Sequence, residues 1–219
     1  LCLLESFSLT FFYKYINKVI FKEKMKYTLP LEMLYKWEKE RADEIYLSQP
    51  VNGRIHNWTW KETSKEVRKM AAYLKKNLPK NSKVGILSKN CAHWIMSDLA
   101  IMMSGHISVP LYPNLSSEAL KSILDHSQTK FLFVGKLDNF DQMKGGIDDE
   151  IKCITYPFYS QCYEIWDDVV TSIEPINENV NRDKSELATI IYTSGTTGAP
   201  KGVMHKFFNF GFATVNAVN

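Results

Sequence analysis

The stretch from residue 83 to residue 112, "KVGILSKNCAHWIMSDLAIMMSGHISVPLY", decides the fold class of this chain. It begins with a short apolar run, continues through a segment of helix length, and ends in a second short apolar run. Gly105 stands where the helix would end, because glycine readily adopts the left-handed conformation that closes a helix. The order strand, helix, strand predicts a βαβ unit with parallel strands that are buried on both faces.

The segments downstream repeat this alternation. "SSEALKSILDHS" (116–127) predicts a helix with Ser116 as its N-cap, and three later apolar runs predict strands: "KFLFVG" (130–135), "IKCITY" (151–156) and "LATIIYTSG" (187–195). Pro110 is expected at an edge or a strand end, because proline donates no hydrogen bond to a ladder. The stretch 138–150, "DNFDQMKGGIDDE", is expected to be a polar surface loop. The predicted fold class is therefore α/β, with parallel sheet layers flanked by helices.

Upstream of this region the pattern changes to a hairpin and a helix. Residues 45–48 and 55–60 are apolar-rich runs on either side of Asn52 and Gly53, whose turn chemistry predicts a β-hairpin. Thr59 and Glu62 form a capping-box pattern directly before an apolar stripe of helical spacing.

The last predicted strand leads into "YTSGTTGAPKG" (192–202), which is rich in glycine and hydroxyl side chains and contains one lysine. A loop of this kind presents successive backbone N–H groups that bind anionic oxygens, and Gly195 and Gly198 let a ligand approach closely. Lys201 supplies the point charge that a polyphosphate requires. Further donors are the hydroxyl groups of Thr193, Ser194, Thr196 and Thr197. The stretch predicts a site for a triphosphate or its pyrophosphate product.

This loop is not a Walker A motif. That motif has glycine where Pro200 stands and serine or threonine where Gly202 stands, so a P-loop NTPase is not indicated.

The stretch 192–202 resembles the phosphate-loop motif of the adenylate-forming superfamily, which includes acyl-CoA synthetases, luciferases and peptide-synthetase adenylation domains. Residues 88–135 resemble the upstream region of long-chain fatty-acyl-CoA synthetases, including the segment "VPLYPNLS" (109–116). The resemblance runs from about Leu29 to the end of the chain. It implies that residues 27–219 are a partial AMP-binding domain, an incomplete N-terminal part of the adenylate-forming fold truncated at the C-terminus. Residues 1–26 stay an unassigned N-terminal extension.

The resemblance also implies a reaction. Such enzymes use magnesium-ATP to convert a carboxylate into an acyl-adenylate, which then reacts with the thiol of coenzyme A; the substrate implied here is a long-chain fatty acid. It implies that Lys201 is a catalytic and nucleotide-binding residue that neutralises the charge of the β- and γ-phosphates. The residues implied to bind these phosphates are Thr193, Ser194, Gly195, Thr196, Thr197 and Gly198. No residue is implied as a metal ligand. The family's remaining motifs lie downstream, so these 219 residues alone are expected to be inactive and to aggregate.

Two residues depart from the family pattern. Many relatives have glutamate in place of His93, which is expected to be structural. His205 matches the family histidine only loosely, because relatives carry a longer Gly-Val-Met-x-x-His stretch.

The bulk composition excludes some partners and favours a compartment. A net charge of +3 is too small and too evenly spread to indicate nucleic-acid binding. The four cysteines are far apart, which favours free thiols in a reducing cytosol. The acids at 148–150 are expected to be solvated loop residues. We expect a cytoplasmic protein, with peripheral contact at the inner membrane surface as an open alternative.

Several alternatives stay open at this stage. The acid could be an amino or aryl acid, the chain could be a non-catalytic nucleotide-binding fragment, or residues 1–20 could lead a membrane-surface module as an interfacial helix. A further expectation is that Met25 is the true start and that the residues before it are upstream sequence.

Overall fold

The computed structural model of the protein describes residues 28–159, 163–193 and 200–211. The first elements are helix α1 (Pro30–Glu40), the hairpin strands β1 (Ile45–Val51) and β2 (Arg54–Thr59), and helix α2 (Trp60–Asn77). The alternating region follows with β3 (Lys83–Leu87), α3 (Ala92–Ser104), β4 (Ile107–Leu111), α4 (Ser117–Ser127), β5 (Thr129–Val134), α5 (Phe140–Met143) and β6 (Lys152–Thr155). The last elements are β7 (Glu164–Ile165), α6 (Trp166–Ser172), β8 (Leu187–Thr193) and β9 (Lys201–Lys206), followed by a helical segment at 207–211.

The capping and turn residues identified in the sequence form the caps and the turn that are expected of them. Thr59 caps α2, since its hydroxyl accepts the N–H of Glu62 at 3.2 Å while the Glu62 carboxylate accepts the N–H of Thr59 at 2.8 Å. Ser116 caps α4 by accepting the N–H of Ala119 at 3.2 Å. Asn52 and Gly53 turn the hairpin with positive φ at both positions. These predictions are confirmed.

Within the described residues, seven strands form one sheet in the order β7-β6-β5-β3-β4-β8-β9. All neighbouring pairs are parallel except β8 and β9, which are antiparallel. The predicted α/β class with a parallel sheet is confirmed. β3 lies between β4 and β5, so the chain leaves β3 to one side and returns to its other side. Such a reversal places a crevice beyond the carboxyl ends of the strands.

Helices cover both faces of the sheet. One apolar core joins α2, α3 and α6 to the face that carries Phe131, Phe133 and Ile154. The second core joins α4 to the opposite face, which carries Leu132, Val109, Ile190 and Tyr192. Burial on both faces explains why the strands have apolar runs and not an alternating pattern. No helix among the described residues is both long and apolar enough to span a membrane.

The structure bears out one sequence prediction and corrects another. Pro110 is near the carboxyl end of β4, which is one of the two positions predicted for it, although β4 itself lies inside the sheet between β3 and β8. The stretch 138–150 is not entirely a surface loop, since it forms α5 and a 3-10 turn and buries Met143. Phe140 and Ile147 pack against the same core as Met143, so apolar contacts anchor this segment.

Candidate functional site: the β8–β9 hairpin and the adjoining cleft

The glycine-rich stretch connects two paired strands. Thr193 at the end of β8 and Lys201 at the start of β9 are cross-strand partners in the antiparallel ladder, and both are exposed. The remaining predicted site residues lie outside the described residues: Ser194, Gly195, Thr196, Thr197 and Gly198. The structure therefore brings together the two ends of the stretch, which places the hydroxyl of Thr193 and the ammonium of Lys201 on neighbouring strands.

Strand β9 and the role of Gly202 are not evident from the sequence. Gly202 pairs with Tyr192, and a Cβ at this position would lie 2.8 Å from Cγ2 of Ile190 and 3.1 Å from Cζ of Tyr192. Both distances are shorter than an ordinary contact between carbon atoms. The last glycine of the motif is therefore required by the packing of β9 against β8, because any larger side chain would push the strands apart.

A cleft lies on one face of the sheet, next to the carboxyl end of β8. Ile191 lines that cleft, and Thr193 lies on the same face of β8 because side chains alternate along a strand. Lys201 is opposite Thr193, so it shares this face. The cation and the hydroxyl thus lie on the cleft side of the sheet.

The cleft has a volume of about 710 Å³ and lies beyond the carboxyl ends of β3, β4 and β5. This is the position where the strand order reverses, which is where open α/β sheets bind ligands. Its lining combines apolar and aromatic surface with two lysines and consists of Ser88, Lys89, Asn90, Trp94, Pro110, Leu111, Tyr112, Pro113, Lys136 and Ile191. Tyr112 is 54% exposed, which leaves an aromatic ring available to a flat ligand.

Hydrogen bonds at the ends of β3 and β5 fix the backbone of the two lysines that line the cleft. The buried hydroxyl of Ser88 accepts the N–H of Lys136 at 2.9 Å, and the carbonyl of Lys136 accepts the N–H of Lys89 at 2.8 Å. The ammonium of Lys89 pairs with Asp138. The strand ends approach so closely here that a Cβ on Gly135 would lie 2.5 Å from the Ser88 hydroxyl.

The two histidines singled out in the sequence take different positions. His93 lies in the core among Trp58, Tyr156 and Trp166, and burial lowers its pKa to about 4. Its Nε2 is 4.0 Å from the carboxylate of Glu66, and because the imidazole with a pKa of about 4 is neutral near pH 7, the contact is not an ion pair. His205 is half-buried in β9 opposite Thr189, on the cleft side of the sheet.

The described residues contain no group of three histidine, cysteine, aspartate or glutamate side chains that could hold a metal ion. Asp148 pairs with Lys121 at 2.8 Å on the surface. Cys91 and Cys153 are free and buried, whereas Cys2 and Cys162 lie outside the described residues.

Comparison with known families agrees with this arrangement. A family model described as AMP-binding enzyme matches residues 34–219. The chain belongs to this family, as the motif at 192–202 predicts.

Individual relatives are similar over most of this chain. Long chain acyl-CoA synthetase 4 of Arabidopsis thaliana is 31% identical over 175 residues, which cover 70% of this chain and 26% of the relative. The 4-hydroxybutyrate–CoA ligase 2 of Metallosphaera sedula is 27% identical over 187 residues, which cover 80% of this chain and 33% of the relative. The chain spans between about a quarter and a third of the length of the curated relatives it matches.

The fold has counterparts among solved structures. The crystal structure of the anthranilate CoA ligase AuaEII in complex with anthranoyl-AMP superposes with a TM-score of 0.72 at 20% identity, over 86% of this chain and 37% of that chain. The predicted membership of the adenylate-forming fold is confirmed by this match.

Proposed function

We propose that this chain is the phosphate-binding part of an ATP-dependent acyl-CoA synthetase that activates a long-chain fatty acid as its adenylate and transfers it to coenzyme A. The observation that carries the proposal is the β8–β9 hairpin, which holds Thr193 and Lys201 side by side at the carboxyl edge of the sheet. We assign the phosphates to Thr193, Lys201 and the stretch 194–198 between them.

The chemistry explains why a cation and many donors are needed there. A carboxylate and a triphosphate repel each other, and negative charge builds up on the departing pyrophosphate during attack on the α-phosphorus. Donors and a cation that are already in place stabilise this charge without reorganisation. In this role Lys201 neutralises the β- and γ-phosphates, while the hydroxyl of Thr193 and the N–H groups of the stretch donate hydrogen bonds to their oxygens.

The cleft is the binding site that we assign to coenzyme A, the substrate of the second step. Coenzyme A carries phosphates and an adenine ring, and the cleft offers the ammonium of Lys136 and the exposed ring of Tyr112, next to the pair of Lys89 and Asp138. We assign the nucleotide end of this substrate to the cleft, since its charges and its aromatic surface match the lining. The thiol would then approach the adenylate along the same edge of the sheet.

Magnesium fits the proposal only as part of the nucleotide complex. Mg²⁺ prefers oxygen ligands and keeps several waters, and Asp138, a carboxylate beside the cleft, is paired with Lys89. The hydroxyl of Thr193 and the phosphate oxygens of the nucleotide are the ligands that we expect for the ion. When bound, the ion would neutralise charge on the phosphates.

The most specific part of the proposal is the substrate, a long-chain fatty acid. It is supported by relatives named long chain acyl-CoA synthetases, four of which are from Arabidopsis thaliana at 27% to 32% identity. The second candidate is another carboxylic acid, because one relative is named for 4-hydroxybutyrate and one structural match for anthranilate. We place residues 27–219 in the adenylation domain and leave 1–26 unassigned. A cytoplasmic location, with peripheral membrane contact for a lipid substrate, completes the proposal.

The test uses the full-length natural protein with ATP, magnesium and a panel of acids. Palmitate, 4-hydroxybutyrate and anthranilate are supplied separately, and each acyl-adenylate is trapped with hydroxylamine as its hydroxamate. The proposal predicts a hydroxamate that depends on ATP and is highest with palmitate. A higher yield with a short or aromatic acid would select the second candidate, and no hydroxamate with any acid would refute adenylation.

A further inference from the structure

Residues 192–202, called the phosphate stretch, begin in the carboxyl-terminal half of β8. This half of the strand forms few ladder pairs with β4. β4 and β8 pair at Ser108 and Thr189 alone, and the side chain of Thr189 adds a bond to the Ser108 carbonyl at 3.0 Å. Beyond Thr189, the described residues of β8 pair with β9 only, and β9 is the last strand of the sheet. Side chains of β8 therefore hold this part of the hairpin to the sheet.

Apolar packing of Ile190 and Tyr192 holds the hairpin to the sheet, and the phenol of Tyr192 adds polar contacts with His126 and Ser127 of α4. The phenol of Tyr192 lies 2.7 Å from Nδ1 of His126, and the two rings are perpendicular with their centroids 5.7 Å apart. Tyr192 is 3% exposed and directly precedes Thr193, whereas His126 is in the last turn of α4. The bond thus joins the end of β8 to a helix on the opposite side of the sheet from the cleft.

The same tyrosine ring also contacts the other end of the motif. It packs against Gly202, the residue after Lys201, with its Cζ 3.1 Å from where a Cβ would stand. Fixing the ring of Tyr192 consequently fixes both strand ends between which the phosphate stretch runs. The ring thereby couples the position of Thr193 to the position of Lys201.

We propose that His126 is a positioning residue for Thr193 and Lys201: it holds the phenol of Tyr192, and through that ring it orders these two side chains on the paired ends of β8 and β9. The inference rests on the proposed function, because positioning matters only if the stretch binds phosphates. Transition-state stabilisation requires donors at fixed distances, and a shift of 1 Å can cost a large part of the rate.

The test uses the full-length natural protein, ATP–pyrophosphate exchange with palmitate, and four single variants. Tyr192→Phe removes only the hydroxyl, and His126→Ala removes its partner. His126→Asn returns an amide near the position of Nδ1, and Ser122→Ala changes an exposed residue of the same helix as the matched control. The loss of one hydrogen bond predicts a fall of about two- to tenfold in kcat/KM for ATP.

Several outcomes together distinguish positioning from general stability. We expect Tyr192→Phe and His126→Ala to raise the KM for ATP but not for palmitate, and the double variant to be no worse than either single one. His126→Asn should recover part of the activity, and Ser122→Ala should match the wild type. Unchanged ATP kinetics, or an equal loss for both substrates together with a lower midpoint of unfolding, would overturn the inference.

A second measurement separates this inference from the proposed function. Amide hydrogen exchange of residues 190–203 should be faster in Tyr192→Phe than in the wild type, with exchange in α3 unchanged. If the wild type shows no pyrophosphate exchange with any acid, the proposed function fails, and faster amide exchange in the variant would still confirm the tether. Equal exchange rates in the two proteins would refute it.

Discussion

Substitution of Gly202 by alanine tests the packing on which the phosphate stretch depends. The added Cβ would lie 2.8 Å from Cγ2 of Ile190 and 3.1 Å from Cζ of Tyr192. Comfortable contacts between carbon atoms are about 3.5–4.0 Å, so the neighbours must move by roughly 0.7 Å. Ile190 is β-branched and stiff at χ1, which makes a rotation of its side chain unfavourable.

Two effects follow from this crowding. Overpacking costs typically about 1–3 kcal/mol, and we expect the lower half of that range because β9, the last strand of the described sheet, can move outward. Movement of β9 displaces Lys201, the residue before Gly202, so kcat/KM for ATP should fall by roughly ten- to a hundredfold. The activity should therefore suffer more than the stability.

The assay combines denaturant unfolding with ATP–pyrophosphate exchange by the full-length protein. The control is a double-mutant cycle with Ile190→Ala, which removes the Cγ2 atom that the new Cβ would meet. In that background Gly202→Ala should cost less free energy than it does in the wild type. A Gly202→Ala protein with wild-type stability and wild-type exchange would show that the close approach does not constrain the hairpin.

The remaining predictions concern the core and the cleft. Burial lowers the pKa of His93 from 6.5 to about 4, so the unfolded chain binds a proton that the folded chain does not. The contribution of His93 to the free energy of unfolding should therefore fall by about 2 kcal/mol between pH 7 and pH 5. Burial raises the pKa of Asp98 to about 6, which changes stability in the opposite direction, so the His93 contribution is read as the difference between wild type and His93→Phe in urea titrations. Gly135→Ala would place a Cβ 2.2 Å from Cδ2 of Tyr156, and chemical denaturation should show a loss of about 3 kcal/mol. Lys136→Ala should raise the KM for coenzyme A by about tenfold, with exposed Lys130→Ala unchanged as its control.

Local signals are sufficient for much of the fold. The capping residues Thr59 and Ser116 and the Asn52–Gly53 turn act through their own neighbours in sequence, so the elements that they bound are predictable. The alternation of apolar strands and helices likewise predicts the parallel sheet. The order of its strands does not follow from local pattern. The strand-end position of Pro110 is predictable from the properties of proline, whereas the place of its strand inside the sheet is not.

The candidate site also has a part that is predictable from sequence and a part that depends on the fold. The composition of 192–202 indicates a phosphate ligand because glycine, hydroxyl groups and lysine supply, within one short segment, the groups that bind phosphate. The interaction between His126 and Tyr192 joins residues that are 66 positions apart, and no local signal connects the motif that begins at Tyr192 with His126. The cleft is similarly assembled from the ends of three strands, so Lys89 and Lys136 acquire a shared environment only through the fold. The short helix α5 is missed because its apolar anchors, Phe140 and Met143, are separated by polar residues and show no helical pattern over so short a segment.

The most direct test of the account is the effect of Lys201→Met on ATP–pyrophosphate exchange, with Lys206→Met as the matched control at the other end of β9. Both lysines are exposed, and only Lys201 is opposite Thr193 at the phosphate stretch. A charge-assisted contact is worth about 1.5–3 kcal/mol, which predicts a ten- to hundredfold slower exchange for Lys201→Met and a nearly unchanged rate for Lys206→Met. Exchange at the wild-type rate in Lys201→Met would contradict the assignment of this stretch to the phosphates.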